Sequence, residues 1–93
     1  MDWLFEWDSG KQESNLATHE IDFVDVRELF GPAMLVRRDS RRDYGEERWI
    51  GMSPLEGRLL VVVFTRRGDR TIRIISARRA TKREQITAFG ELT

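Results

Sequence analysis

Leu59-Leu60-Val61-Val62-Val63-Phe64-Thr65 is the most apolar and β-branched stretch of the chain. β-Branched side chains are restricted at χ1 and fit a pleated surface, and an unbroken apolar run leaves no polar face for solvent. The stretch therefore predicts a central strand buried on both faces. Arg66-Arg67-Gly68-Asp69 then supplies a tight turn, and Thr71 to Ile75 returns as another strand. Upstream, Ser53 to Gly57 is a turn, Arg48 to Met52 the strand before it, Arg37 to Gly45 a polar connection and Ala33 to Val36 a short apolar strand. Such close hairpin spacing makes these strands antiparallel.

Towards the N-terminus the apolar spacing becomes helical. Phe23, Val26, Leu29 and Phe30 fall at i, i+3, i+6 and i+7, a stripe that should face the core, with Asp22 as its cap and Gly31-Pro32 as its end. Asp8 offers an N-cap for an earlier helix running to about Glu20, with Asn15, Leu16 and His19 at i, i+1 and i+4. Before it, Trp3, Phe5 and Trp7 alternate with Leu4 and Glu6, the period of a short strand. At the other end, Thr81-Lys82-Arg83-Glu84 has capping-box spacing, so a final helix is expected from about Lys82 to Phe89, anchored by Ile86 and Phe89. The predicted order is β-α-α-β-β-β-β-α, an α+β fold with helices packed on one antiparallel sheet.

At 93 residues, 40% hydrophobic and 34% charged, the chain is expected to form one soluble domain spanning residues 1–93. Cysteine is absent and there is one histidine, so neither a disulfide framework nor a thiolate zinc site can be built, and no metal or other cofactor is expected. Asp2 and Glu6 interrupt the apolar N-terminus, unlike a secretory leader, and no apolar run approaches the ~20 residues of a membrane span. A cytoplasmic protein without membrane contact is the expectation.

The formal net charge of zero conceals a segregated field. Residues 1–30 carry Asp2, Glu6, Asp8, Glu13, Glu20, Asp22, Asp25 and Glu28 against Lys11 and Arg27. Residues 66–83 carry Arg66, Arg67, Arg70, Arg73, Arg78, Arg79, Lys82 and Arg83 against Asp69, and six further bases lie between Arg37 and Arg58. A basic region can attract a polyanion although the whole molecule is neutral, because attraction follows local potential within ~8 to 10 Å. A solvated face that maintains solubility is the plainer explanation of such a run. The excess of arginine over lysine favours phosphate, which a guanidinium fork matches bidentately.

Phe5-x-Trp7-Asp8-x-x-Lys11-x-x-x-Asn15-x-x-x-His19-x-Ile21-x-Phe23, Glu47-Arg48 with Gly51-x-Ser53, Gly57-Arg58-Leu59-Leu60-Val61-Val62-Val63-Phe64-Thr65 and Arg73-Ile74-Ile75-Ser76-Ala77-Arg78-Arg79-Ala80-x-x-x-Glu84 together resemble the pattern of the BrnT family, in the family's order over about residues 5 to 89. The resemblance implies a RelE-like ribonuclease toxin of a type II toxin–antitoxin system that cleaves cellular RNA and arrests translation. It also implies a BrnA-like antitoxin that neutralises the toxin, assembles as a dimer of toxin–antitoxin pairs and alone contacts operator DNA. The family commonly has a basic residue before the histidine and a glycine after it, where this chain has Thr18 and Glu20. That departure bears on activity, not on fold.

RNA carries its own nucleophile in the 2'-hydroxyl, so cleavage needs proton transfer and charge stabilisation but no metal. His19 is the only side chain whose ordinary pKa, ~6.5, suits proton transfer near neutrality. A histidine near a helix end can equally be structural, bonding a carbonyl or favouring the helix C-terminus. Arg73, Arg78 and Arg79 are nominated with His19 as catalytic residues, and Lys11, Arg58 and Lys82 as RNA-binding residues. Arg73 could instead cover the sheet with its stem, and Arg78 and Arg79 could form ion pairs with the acidic N-terminal half. Trp3, Trp7 and Trp49 could stack on bases, but aromatics in strands are mostly core, and Trp7 is assigned to packing. The alternative function is a non-catalytic module that binds nucleic acid or the antitoxin. The two readings differ in whether His19 lies beside the arginines.

Overall fold

The structure, a computed structural model, describes residues 3–41 and 43–90, and the side chains of all of these but the last three. Within them the chain runs β1 (Leu4–Trp7), α1 (Ser9–His19), α2 (Phe23–Val26) continuing as a 3-10 turn through Leu29, β2 (Leu35–Arg38), β3 (Trp49–Leu55), β4 (Arg58–Arg67), β5 (Thr71–Arg79) and α3 (Lys82–Gly90). The mixed α+β order expected from the sequence is the order observed. Among the described residues no helix is long and apolar enough to cross a membrane.

One sheet holds all five strands in the order β1-β5-β4-β3-β2. β4 is its centre, and the consecutive residues Leu60, Val61 and Val62 are fully buried, so both faces of the strand are covered as its unbroken apolar run predicts. β2 to β5 pair antiparallel through hairpins. β1 joins the far side of β5 in parallel, which makes that edge of the sheet mixed instead of antiparallel. Turn length fixes direction only for strands joined by a hairpin, and β1 reaches β5 by way of the intervening chain.

The strands outrun their sequence-based limits. β3 continues to Leu55, so the turn contracts to Glu56-Gly57, whose φ values of 50° and 77° are those of a two-residue hairpin with both central residues left-handed. Arg66 and Arg67 belong to β4, and β5 extends to Arg79, with a register shift opposite Val63/Phe64.

The core lies between one face of the sheet and α2. Phe23, Val26 and Leu29 bury their stripe against Leu60, Val62, Phe64, Ile72, Ile74 and Ala77, each large side chain contributing roughly 1.5 to 3 kcal/mol. Trp7 meets Phe23 edge-on at 6.1 Å, and Phe30 lies between Phe5 and Phe64 at 5.3 and 5.0 Å, which accords with packing roles. Gly51 permits a close approach, since a Cβ there would come within 2.7 Å of the Met34 methyl.

α1 is attached by polar contacts. Leu16 is exposed, whereas Asn15 is buried: its Nδ2 donates to the Ile21 carbonyl at 3.0 Å and its Oδ1 accepts from the Ala77 amide at 3.1 Å. A chain from Trp7 Nε1 to Gln12 Oε1, and from Gln12 Nε2 to the Asp22 carboxylate, ties β1, α1 and the start of α2 together. α3 begins with the expected capping box: Thr81 Oγ1 accepts from the Glu84 amide and Glu84 Oε1 from the Thr81 amide. Ile86, expected to anchor this helix, is 73% exposed, and Phe89 lies outside the described side chains. Among the described side chains, its ties lie in the N-terminal turn, where Gln85 Nε2 also donates to the Ala80 carbonyl.

Candidate active site

Because side chains alternate along a strand, pairing register determines which residues share a face. One face carries the core and α2. On the other, Glu6, Arg73 and Thr65 form one cross-strand row, Ser76, Val63, Ile50 and Arg37 a second, and Arg78, Val61, Met52 and Leu35 a third. Arg67 belongs to the same face, its Nε lying 3.1 Å from Glu6 Oε1. Strand alternation thus assembles an arginine-rich face opposite the core from residues dispersed between positions 37 and 78. The segment after β2 folds against it: the Asp39 amide donates to the Arg48 carbonyl, Thr65 Oγ1 donates to the Glu47 carbonyl at 2.6 Å, and the Asp39 carboxylate is buried.

The nominated arginines do not occupy one place. Arg73 stands at the β1 end of the face, where Glu6 Oε1 is 3.8 Å from its Nη1. Arg78 lies farther along β5, and Arg79, the next residue of the same strand, turns to the opposite face. Arg58 shares that opposite face, one diagonal step from Arg79 across the β4–β5 pair. Lys82 is exposed in the first turn of α3 just beyond. Arg78, Arg79, Arg58 and Lys82 therefore surround one end of the sheet from both faces, and Arg73 is separate from them.

Arg78 is fixed by Glu84. Its Nη1 and Nη2 donate to the two carboxylate oxygens at 2.6 and 2.9 Å, and Nη1 also donates to the Arg79 carbonyl. This fork, with the Thr81 amide adding to it, holds the Glu84 carboxyl down to about 2, and Arg78 binds its proton more tightly in return. The counterion is thus an acid of the final helix, not of the acidic N-terminal half. Nε–H and one Nη2–H remain outside these bonds, enough for an anion to approach without breaking the pair.

His19 is the last residue of α1, exposed, and in phase with Lys11 and Asn15 at i, i+4 and i+8. Asn15, the middle member, is bonded to the Ala77 amide, so the stripe faces β5 where that strand extends past the last β1 pair at Ile74. Lys11 and His19 flank that contact, with His19 on the side leading to Ile21. Glu20, in the place where the family commonly has glycine, adopts φ 59° and ψ 31° and donates its amide to the Leu16 carbonyl. A glycine takes this left-handed C-terminal conformation without strain.

Three polar arrangements escaped sequence reasoning. Glu84 was read as a cap and a motif position but not as the partner of Arg78, Asn15 as a member of a spacing and of the motif but not as the tie to Ala77, and the Asp39–Arg41 pair lay in a segment read as a polar connection. Among the described residues no three His, Cys, Asp or Glu side chains are placed to hold a metal ion. An apolar cavity of about 350 Å³ on the core side, bordered by Trp3, Phe30, Met34, Trp49 and Arg66, is remote in register from the Arg78 end.

Comparison with known proteins bears on this arrangement. No curated protein matches the chain in sequence. The 1.1 Å crystal structure of the Brucella abortus ribonuclease toxin BrnT is similar to it with a TM-score of 0.70 and 25% sequence identity, over 87% of this chain and 100% of that one. The RelE-like architecture implied by the sequence motifs accords with that likeness. The family model described as "Ribonuclease toxin, BrnT, of type II toxin-antitoxin system" matches residues 7–84, a span that contains α1 with His19, the arginine face and Glu84. The chain belongs to the BrnT family of ribonuclease toxins of type II toxin–antitoxin systems.

Proposed function

We propose that the protein cleaves RNA without a metal, by attack of a 2'-hydroxyl on the adjacent phosphorus. The O2'–P bond forms and the P–O5' bond breaks, leaving a 2',3'-cyclic phosphate and a 5'-hydroxyl. His19 transfers a proton at one of these oxygens, and Arg78 and Arg79 with Arg58 stabilise charge on the non-bridging oxygens. Lys11 and Lys82 contact flanking phosphates, and Arg73 contributes from the arginine-rich face. The observation that carries the reading is the Asn15–Ala77 bond, which ties the α1 stripe bearing His19 to the very strand that presents Arg78 and Arg79. A BrnA-like antitoxin that covers these arginines inhibits the toxin by occluding its phosphate contacts, and operator DNA is engaged through the antitoxin.

The test is cleavage of a mixed-sequence RNA by purified protein in excess EDTA, with the ends analysed, beside His19→Gln and Arg79→Ala variants. Cyclic ends should form with the wild type, and activity should fall about 10²- to 10⁴-fold in His19→Gln. Folded wild type that binds the RNA and leaves it intact would transfer the assignment to a non-catalytic binding module.

A further inference from the structure

On the core side of the sheet the helical cover stops short. The 3-10 turn that continues α2 ends at Phe30, and beyond it Trp3, Phe30, Met34, Val36, Trp49 and Phe64 border the cavity of about 350 Å³. Val36 lies on the edge strand β2, in register with Gly51 and through it with the core residue Val62, so its side chain belongs to the core face. It is nevertheless 52% exposed. An open valine beside two tryptophans, around one hollow, is the kind of apolar surface that marks a contact with another molecule.

The chemistry of the rim decides which molecule. Trp49 and Arg66 also border a second, polar hollow of about 530 Å³, whose walls include Glu46, Glu47 and Asp69. Arg66 is engaged already: its guanidinium lies 5.0 Å from the centre of the Trp3 ring and donates to the Asp69 carbonyl at 3.1 Å. Glu46 and Glu47 meet Arg48 and Arg38 at 3.7 and 3.5 Å, with side chains that stay 40% and 64% exposed. Three carboxylates beside one occupied arginine repel a phosphate chain and attract a basic side chain. An apolar hollow continuous with an acidic one therefore fits a protein segment and not RNA.

We infer that this double hollow anchors the antitoxin, which places a bulky apolar side chain in the cavity and a neighbouring lysine or arginine among Glu46, Glu47 and Asp69. That a protein partner exists follows from membership of a type II toxin–antitoxin family. The inference rests on the proposed function only in taking the arginines as the surface that the antitoxin occludes. From Val61, opposite Arg78, to Arg66 is roughly 17 Å of strand, so the anchor is separate from the Arg78 end. Affinity and inhibition then depend on different parts of the antitoxin.

The test titrates the purified toxin with its purified full-length antitoxin, and assays RNA cleavage with and without the antitoxin. Val36→Asp sets a charge at the mouth of the apolar hollow and should weaken antitoxin binding about 10- to 100-fold. Glu46→Gln/Glu47→Gln should weaken it about three- to tenfold, the loss shrinking as salt is added. Cleavage by either variant alone should stay within about twofold of wild type, and urea unfolding checks that each is folded. Because a charge on β2 can disturb the strand, the glutamate pair, whose side chains are exposed, carries the test without Val36→Asp if that variant does not fold. Wild-type antitoxin affinity in the folded variants would overturn the inference. A parallel loss of affinity for an uncleavable 2'-O-methyl oligoribonucleotide would give the hollow to RNA, and a toxin that self-associates until Val36→Asp is introduced would give it to a second copy of the chain; either result overturns it. An antitoxin that loses affinity in these variants yet never blocks cleavage by the wild type would overturn the occlusion of the arginines and leave the anchor standing.

Discussion

Arg73 and Arg78 stand on the same face of β5, and each meets a glutamate, yet the two encounters differ in kind. Glu6 presents one oxygen to two arginines, at 3.1 Å from Arg67 and 3.8 Å from Arg73, and that buried oxygen makes no well-aligned hydrogen bond. Glu84 presents both oxygens to Arg78 in a planar fork and accepts the Thr81 amide as well. Glu6 reduces local charge without fixing a geometry, whereas Glu84 fixes one. The Arg78 end is also where Asn15 attaches α1 and where α3 begins. Order concentrated at one end of the strand is what a site for a single phosphate requires, because a misplaced contact loses most of its effect on a transition state.

The contrast can be broken most severely at Asn15. Asn15→Ala should destabilise the fold by about 2 to 4 kcal/mol, since it strands both the Ile21 carbonyl and the Ala77 amide in a buried setting. Urea denaturation measures this, and a loss below ~1 kcal/mol would mean that water replaces the side chain and the tie is dispensable.

Glu84→Gln is the next largest. It should cost about 1 kcal/mol, discounted because the Arg78 side chain is more than a third exposed. Glu84 is depressed from its ordinary 4.5 to about 2 in the folded protein, so its contribution is complete above the ordinary value and disappears as pH falls through about 2. The stability gap between wild type and Glu84→Gln should therefore hold steady at and above pH 5 and close between pH 4.5 and 2. A gap indifferent to acid would show that the fork contributes nothing.

At the end of α1, Glu20→Gly should raise stability by about 0.5 to 1 kcal/mol by relieving the left-handed backbone, in thermal or urea unfolding. The smallest effect is expected at the looser end. Glu6→Gln releases Arg67 and Arg73 from a shared counter-charge and should strengthen RNA binding about threefold at low salt, the advantage shrinking as salt is added. Weaker binding in that variant would mean that Glu6 orients these arginines as Glu84 orients Arg78, and the distinction between the two ends would vanish.

Much of the architecture is local in origin and was therefore readable. The apolar run through Val61–Val63, the 23-26-29 stripe, the Asp8 and Asp22 caps and the Thr81–Glu84 box each depend on residues within one or two turns. The family motifs placed His19 and the arginines among the residues to consider. What could not be read was strand length. β5 was expected to end at Ile75 and runs to Arg79, and only a strand that continues sends Arg78 and Arg79 to opposite faces.

The sequence by itself determined the element order, the buried stripe and the segregation of charge, because hydrophobic period and capping chemistry act over a few residues. Only the tertiary structure decided that β1 pairs in parallel with β5, that Asn15 instead of Leu16 seats α1, and that Arg78 is forked by Glu84. Those contacts join positions as distant in sequence as Leu4 and Thr71. Their partners are chosen by which backbone amide the sheet leaves unpaired and which side chain it leaves uncovered, and neither exists until the strands have assembled.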